Sequence, residues 1–197
     1  MYEVFGGIAS RAFRVIWLLD EMGVAFTHHD LKPHAPELLA VNPSGKVPAL
    51  KVAGEILTDS SAIMTFLADK HGQFTHPAGT IARAKQDGWF HQILDEVDAV
   101  LWAGARHSFI LPEAQRVPEV KDSLKWEFKR NVARIAERME GPYLQGEEIT
   151  IADFLLLHCL NWAVSAKFEH GSEKIDAYAK RIRARESFKA ARARLAA

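Results

Sequence analysis

The sequence predicts an α/β first domain of order βαβαββα followed by an all-helical second domain. Three observations predict it. Over residues 1–74, short apolar runs alternate with apolar residues recurring at three- and four-residue steps. The Ala53-Gly54 pair stands between two such runs and signals a hairpin. Beyond Gly79 only helical periodicity is left. The chain has 197 residues, room for two small domains, and at this size no disulfide or metal is needed to hold a core.

Tyr2–Phe5 reads as the first strand, ended by Gly6-Gly7. A helix follows from about Arg11, with Val15, Ile16, Leu18, Leu19 and Met22 on its apolar stripe, Ser10 at the N-cap and Gly23 at C′. Ala25–Leu31 is the second strand, and a short helix over Pro36–Val41 stops at Asn42-Pro43. Val47–Val52 and Glu55–Leu57 form the hairpin, and Asp59-Ser60-Ser61 opens a helix that ends near His71-Gly72. One right-handed crossover joins the first two strands in parallel and the hairpin closes an edge. The linker is placed at 75–82, around Pro77 and Gly79, and the helical domain at 83–197. There one pattern runs from Thr80 to Phe109 and a second from Val117 to Met139. A third covers Ile151 to Phe168, and one or two Ala/Arg-rich helices close the chain. Thr150-Ile151-Ala152-Asp153 is a capping box, with Ile149 and Phe154 at the positions of a hydrophobic staple.

Composition removes several function classes. Lys and Arg together number 25, as do Asp and Glu, so there is no basic excess for nucleic-acid phosphates or an anionic membrane surface. Cys159 stands alone and fits a reducing compartment. The most apolar stretch, Ile151 to Val164, is interrupted by Asp153, His158 and Asn161 and is too short to span a bilayer. Glu3 sits where a signal peptide would carry positive charge, so a cytoplasmic location is expected. His28, His29 and Asp30 alternate faces on a strand and do not converge on a metal.

Three short segments carry chemistry. Val47-Pro48 is either a plain edge-strand proline or, with a cis bond, a turn that offers the Val47 backbone to an extended peptide. Asp59-Ser60 at a helix start is either an N-cap or a seat for an α-amino acid end group, with Asp59 facing the ammonium and Ser60 the carboxylate. Ser10 either caps the first helix or donates to a thiolate placed at that helix's N-terminus; the two roles are compatible. On the long helix Trp102, Arg106 and Phe109 follow at four- and three-residue steps. With Ile8 they line an apolar pocket bearing one cation, or else they serve packing.

Taken together these segments resemble the glutathione S-transferase superfamily, as a serine-type cytosolic, bacterial-like member. Ile8 to Gly23 looks like its first catalytic helix, and Asn42-Pro43-Ser44-Gly45-Lys46-Val47-Pro48-Ala49-Leu50 like its cis-proline segment. Leu57 to Ile63 resembles its glutathione-binding helix start, and Thr150 to Phe154 its helical-domain capping box. The resemblance implies a thioredoxin-like N-terminal domain plus an all-α C-terminal helical bundle, a homodimer, and glutathione as co-substrate without a metal. It implies that Val47, after cis-Pro48, pairs with the cysteinyl unit, that Asp59 and Ser60 hold the γ-glutamyl end, and that Lys46 and His34 face the glycyl carboxylate. Ser10 matches the thiolate-stabilising serine, and the partner is a small hydrophobic electrophile or a hydroperoxide, a detoxification chemistry. The alternative is a non-catalytic ligand-binding or interaction module on the same fold. Asp59 stands where many members carry Glu, and Ala9 where a cysteine-type class carries its nucleophile. No Cys-x-x-Cys pair exists, which argues against a disulfide reductase.

Overall fold

Four strands of four residues each, β1 (Tyr2–Phe5), β2 (Phe26–His29), β3 (Ala49–Val52) and β4 (Glu55–Thr58), form one sheet of order β2-β1-β3-β4. The computed structural model describes residues 1–194. β1 and β2 run parallel; β1–β3 and β3–β4 are antiparallel. β3 begins two residues later than the apolar pattern suggests because Pro48 has no amide to give the ladder. The Val47–Pro48 bond is cis. The register aligns the strand ends: His29 pairs with Phe5, Phe5 with Ala49, and Ala49 with Thr58. Gly6, Pro48 and Asp59 are therefore the next residues past a single line across the sheet.

Alternation sends neighbouring residues to opposite faces. Phe5 and Ala49 pack with Leu38 of α2 (Pro36–Val41) on one face. Val4 and Leu50, wholly buried, are left for α1 (Ala12–Met22) and α3 (Ser60–His71), which pack against each other and against the sheet. Gly23 closes α1 in the left-handed conformation, its amide donating to the Asp20 carbonyl at 3.2 Å.

The chain forms two compact units, and the first does not end at the linker. Among the described residues it comprises Met1–Ala78 together with 182–194. The helical domain expected over 83–197 thus reaches only to Arg181. The reason is α9 (Glu186–Ala193), whose Phe188 meets Phe13 and Trp17 edge-on at 5.6 and 5.1 Å. Arg185 bonds Glu21, and Arg194 reaches Asp20 at 2.8 Å. Edge-on aromatic pairs add about 0.5–1.5 kcal/mol each beyond the area they bury, which favours α9 on α1. The linker is also shorter than 75–82, because Thr80 caps α4 (Ile81–Ile93), the Arg83 amide donating to its hydroxyl at 3.1 Å.

The second unit is helical. The segment expected as one helix from Thr80 to Phe109 is α4, a π-helical turn at Leu94–Asp98, α5 (Ala99–Ala105) and a second π-helical turn at Arg106–Ile110. The buried Asn131 side chain of α6 (Val120–Arg138) donates to the Glu96 carbonyl at 2.9 Å, inside the first π turn. α7 (Ile151–Ala166) opens on the expected capping box and is buried along most of its length. α8 (Glu173–Arg183) contributes Tyr178, which donates to Asp153 at 3.0 Å.

Candidate active site

The aligned strand ends bring the three chemistry-bearing segments side by side, at the carboxyl ends of the two parallel strands, where open α/β sheets bind ligands. Gly6 makes the closeness possible. A Cβ there would lie 2.8 Å from Val47 Cβ and 2.9 Å from Ala12 Cβ, and its φ of +131° suits glycine. Gly6 therefore lies between Val47 and the first residue of α1. The Val47 amide and carbonyl lie outside the ladder, which starts at Ala49.

Ser10 caps α1 from two residues ahead. The Ala12 amide donates to its Oγ at 3.1 Å, and its hydroxyl donates to the Gly7 carbonyl at 2.6 Å. The capping role is thus present, and the hydroxyl proton points at a neutral carbonyl.

The loop before Pro48 is held by Asn42, a buried residue whose Nδ2 donates to the Lys46 carbonyl at 2.8 Å. Its Oδ1 accepts from the Ser44 amide at 3.2 Å. The His34 amide donates to Gly45 O at 2.9 Å, and the imidazole covers Gly45 so closely that a Cβ there would come 2.2 Å from Nδ1. The loop thus brings His34 beside the exposed Lys46.

Asp59 adopts φ 68° and ψ 122°, a region that costs a non-glycine residue about 1–3 kcal/mol and is retained where surrounding structure over-determines it. Its Oδ1 accepts from the Ser61 amide at 2.8 Å, the Ala62 amide at 3.1 Å and the Ser61 hydroxyl. It is the N-cap of α3, with all three of these bonds on Oδ1. Burial raises the carboxyl's pKa, but the Ser61 and Ala62 bonds and the Arg14 charge outweigh it and hold the group below its ordinary value of 3.8. Ser60, buried, accepts from Arg14 Nη1 at 3.1 Å. Arg14 is only 1% exposed. A guanidinium beside the amides of a helix start makes an anion seat stronger than the serine alone.

Sequence reasoning did not single out Arg14 or Asn42. The signal for Arg14 was a charge inside the densest apolar run of α1; for Asn42 it was an Asn-Pro-Ser-Gly turn directly before the proline. Of the residues expected to receive an electrophile, Ile8 is buried in the first unit. Trp102 lies in α5, whereas Arg106 and Phe109 lie in the second π turn, where Leu111 N bonds Arg106 O across five residues at 3.0 Å. That wider turn moves Phe109 off the face that α-helical spacing from Trp102 predicts. Among the described residues no three His, Cys, Asp or Glu side chains are grouped to hold a metal, and no helix is long and apolar enough to cross a membrane.

Residues 10–70 match the family model described as the glutathione S-transferase N-terminal domain, and residues 99–186 match the C-terminal domain of the same family. The chain belongs to the glutathione S-transferase family. Among its relatives, the glutathione S-transferase GstA of Escherichia coli O157:H7 is 30% identical over 153 residues, covering 74% of this chain and 72% of that one. Glutathione S-transferase 4 of Zea mays is 28% identical over 199 residues, 93% of this chain and 88% of the relative. A glutathione transferase structure from Methylococcus capsulatus strain Bath superposes with a TM-score of 0.85 at 25% identity, covering 97% of both chains. The theta class glutathione S-transferase of Xanthomonas axonopodis pv. citri, solved with glutathione bound, shares the fold at a TM-score of 0.81 and 23% identity over 96% of both chains. As a glutathione S-transferase, the chain carries all three segments of the candidate site within, or just ahead of, the stretch that matches the N-terminal domain.

Proposed function

We propose that this enzyme binds glutathione across the aligned ends of β1, β3 and β4, holds its sulfur as a thiolate at the start of α1, and transfers it to a hydrophobic electrophile. The carrying observation is that one line of the sheet ends in Gly6, Pro48 and Asp59, so a single extended peptide reaches all three segments. In this reading the γ-glutamyl carboxylate meets Ser60, backed by the Arg14 guanidinium, and the ammonium meets Asp59 Oδ2. The cysteinyl main chain pairs with Val47, and the glycyl carboxylate meets Lys46 and His34.

Ser10 is the proposed thiolate donor, and its present bond to Gly7 O supports a switch. A hydrogen bond to an anion is roughly twice as strong as one to a neutral acceptor. The hydroxyl therefore turns from the carbonyl to the sulfur once the thiolate arrives, while the Ala12 amide keeps its bond to Oγ and polarises the O–H. The thiol proton leaves to solvent. The sulfur lone pair then forms the S–C bond as the leaving group departs with its electron pair. The same thiolate supports hydroperoxide reduction. The working species is proposed to be a cytoplasmic homodimer.

Calorimetric titration with glutathione tests the binding, and conjugation of 1-chloro-2,4-dinitrobenzene tests the chemistry. The expected results are saturable binding below millimolar glutathione and a kcat/KM that falls ~10–100-fold in Ser10→Ala, the worth of one hydrogen bond to a charged group. No binding at millimolar glutathione overturns the proposal, and an unchanged kcat/KM in Ser10→Ala removes Ser10 from it.

A further inference from the structure

His28 and His29 are neighbours on β2 and so serve opposite faces of the sheet. His29 stacks on Phe5 at 4.5 Å and bonds the Glu3 carboxylate at 3.0 Å. His28 stands opposite Val4 in the parallel register, on the face that α1 covers. Its half-buried imidazole reaches past the end of β1, where Nε2 lies 2.9 Å from the Gly6 carbonyl oxygen. A carbonyl only accepts, so Nε2 carries the proton and donates.

Gly6-Gly7 is the pivot by which β1 leads into the turn that carries Ser10. Two successive glycines have more backbone freedom than any other pair of residues, yet every main-chain group of this pair is bonded. Gly6 N donates to His29 O at 3.0 Å, and Gly7 N donates to Leu31 O at 3.1 Å. Gly7 O accepts from the Ser10 amide at 3.0 Å and from the Ser10 hydroxyl at 2.6 Å. The Gly6 carbonyl, on a buried residue, takes the imidazole. A buried carbonyl that loses its partner turns to find another, and the peptide plane turns with it. Both sides of the candidate site feel that plane. On one side Gly6 is packed so tightly that a Cβ would lie 2.8 Å from Val47 Cβ. On the other, Gly7 carries the carbonyl that holds Ser10.

We propose that His28 is a positioning residue for the transfer: by holding the Gly6-Gly7 pivot it sets the Ser10 hydroxyl against the sulfur of a glutathione whose cysteinyl unit pairs with Val47. This rests on the reading that Ser10 is the thiolate donor. His28 does not touch glutathione; it acts through the Gly6-Gly7 peptide. Loss of its bond misplaces the donor and removes no binding contact, so ionisation and turnover fall while affinity holds.

The test compares His28→Phe, which keeps a ring and loses the donor, with His28→Gln, whose amide nitrogen stands the same number of bonds from Cβ as Nε2. Bound glutathione is titrated through its ultraviolet thiolate band, its affinity is read by calorimetry, and kcat is measured with 1-chloro-2,4-dinitrobenzene. In His28→Phe the bound thiol titrates about half a pH unit higher than in the wild type, because the anion is less well hydrogen-bonded. In the same variant kcat falls about tenfold, less than the ~100-fold that misplacement by a full ångström costs. Glutathione affinity stays within about threefold, since both ends of the peptide are held by other residues. His28→Gln restores most of both losses. In a Ser10→Ala background His28→Phe lowers kcat by less than about twofold more, because a residue that acts through Ser10 has nothing left to position. If His28→Phe loses its helical circular dichroism, His28→Asn takes its place, its amide one bond too short for the Gly6 carbonyl. Wild-type ionisation and kcat in the variant without the donor overturn the proposal. So does a fall of undiminished size in the Ser10→Ala background, and so does a Gln variant that behaves like the variant without the donor. An unchanged kcat/KM in Ser10→Ala alone removes Ser10 from the reading and this proposal with it, a failure seen before His28 is altered.

Discussion

Asp153 makes the folding of the second unit depend on pH in an unusual direction. The carboxyl is wholly buried. Burial pushes it up and four hydrogen bonds pull it down, from the amides of Thr150 at 2.8 Å and Leu144 at 3.0 Å and from the hydroxyls of Tyr178 and Thr150; burial wins. The group is raised from 3.8 to about 6. At 1.36 kcal/mol per pH unit this amounts to roughly 3 kcal/mol of linkage. The native state keeps a proton that the unfolded chain releases between these two values. The contribution is therefore complete below pH 3.8 and lost as pH rises through about 6, opposite to the usual carboxylate. Tyr178, pushed well above its ordinary value by burial and by the neighbouring carboxyl, stays neutral and donates throughout. Urea unfolding followed by tryptophan fluorescence, for the wild type and Asp153→Asn at about pH 7.5 and about pH 4.5, reads this directly. The amide cannot titrate, so the wild type gains about 2 kcal/mol on the variant at the lower pH. A difference that is flat, or that shifts in the other direction, refutes the reasoning.

Three further outcomes are expected. Arg14→Met keeps the length and removes the charge behind Ser60, so glutathione affinity by calorimetry falls ~10–100-fold, the worth of a buried hydrogen bond to a charged group; an affinity within twofold of wild type contradicts the anion seat. Gly45→Ala puts a methyl against His34 at a φ of +64°, displacing the loop that carries Lys46, so KM for glutathione rises while KM for the electrophile holds. Phe188→Ala removes the aromatic that α9 lays on α1 and lowers the urea stability by about 3–5 kcal/mol, whereas a purely peripheral helix would lose little.

Much of the fold was legible because local rules and global packing agree. Ser10 and Gly23 bracket α1, Asp59 and Gly72 bracket α3, and Ala53-Gly54 turns the hairpin. What stayed hidden depends on contacts between distant residues. Nothing local in Glu186–Ala193 says that its Phe188 packs against Trp17 rather than inside the helical unit. The two π turns are unreadable from periodicity, since each spans only five residues, too few for the apolar repeat to reveal the shift in phase. The three chemical segments were visible one at a time; their convergence follows from the pairing of Phe5, Ala49 and Thr58, which no single strand encodes. Arg14 was passed over because a charge in an apolar stripe identifies itself only when its partner, Ser60, lies 46 positions away.

The most direct test of the account is the ionisation of glutathione on the enzyme, followed through the ultraviolet thiolate band as pH is raised. A sulfur held at the start of α1 with Ser10 turned toward it titrates at least about one unit below the free-thiol value of ~8.5. Bound glutathione that titrates at the free value contradicts the claim that this helix start activates it.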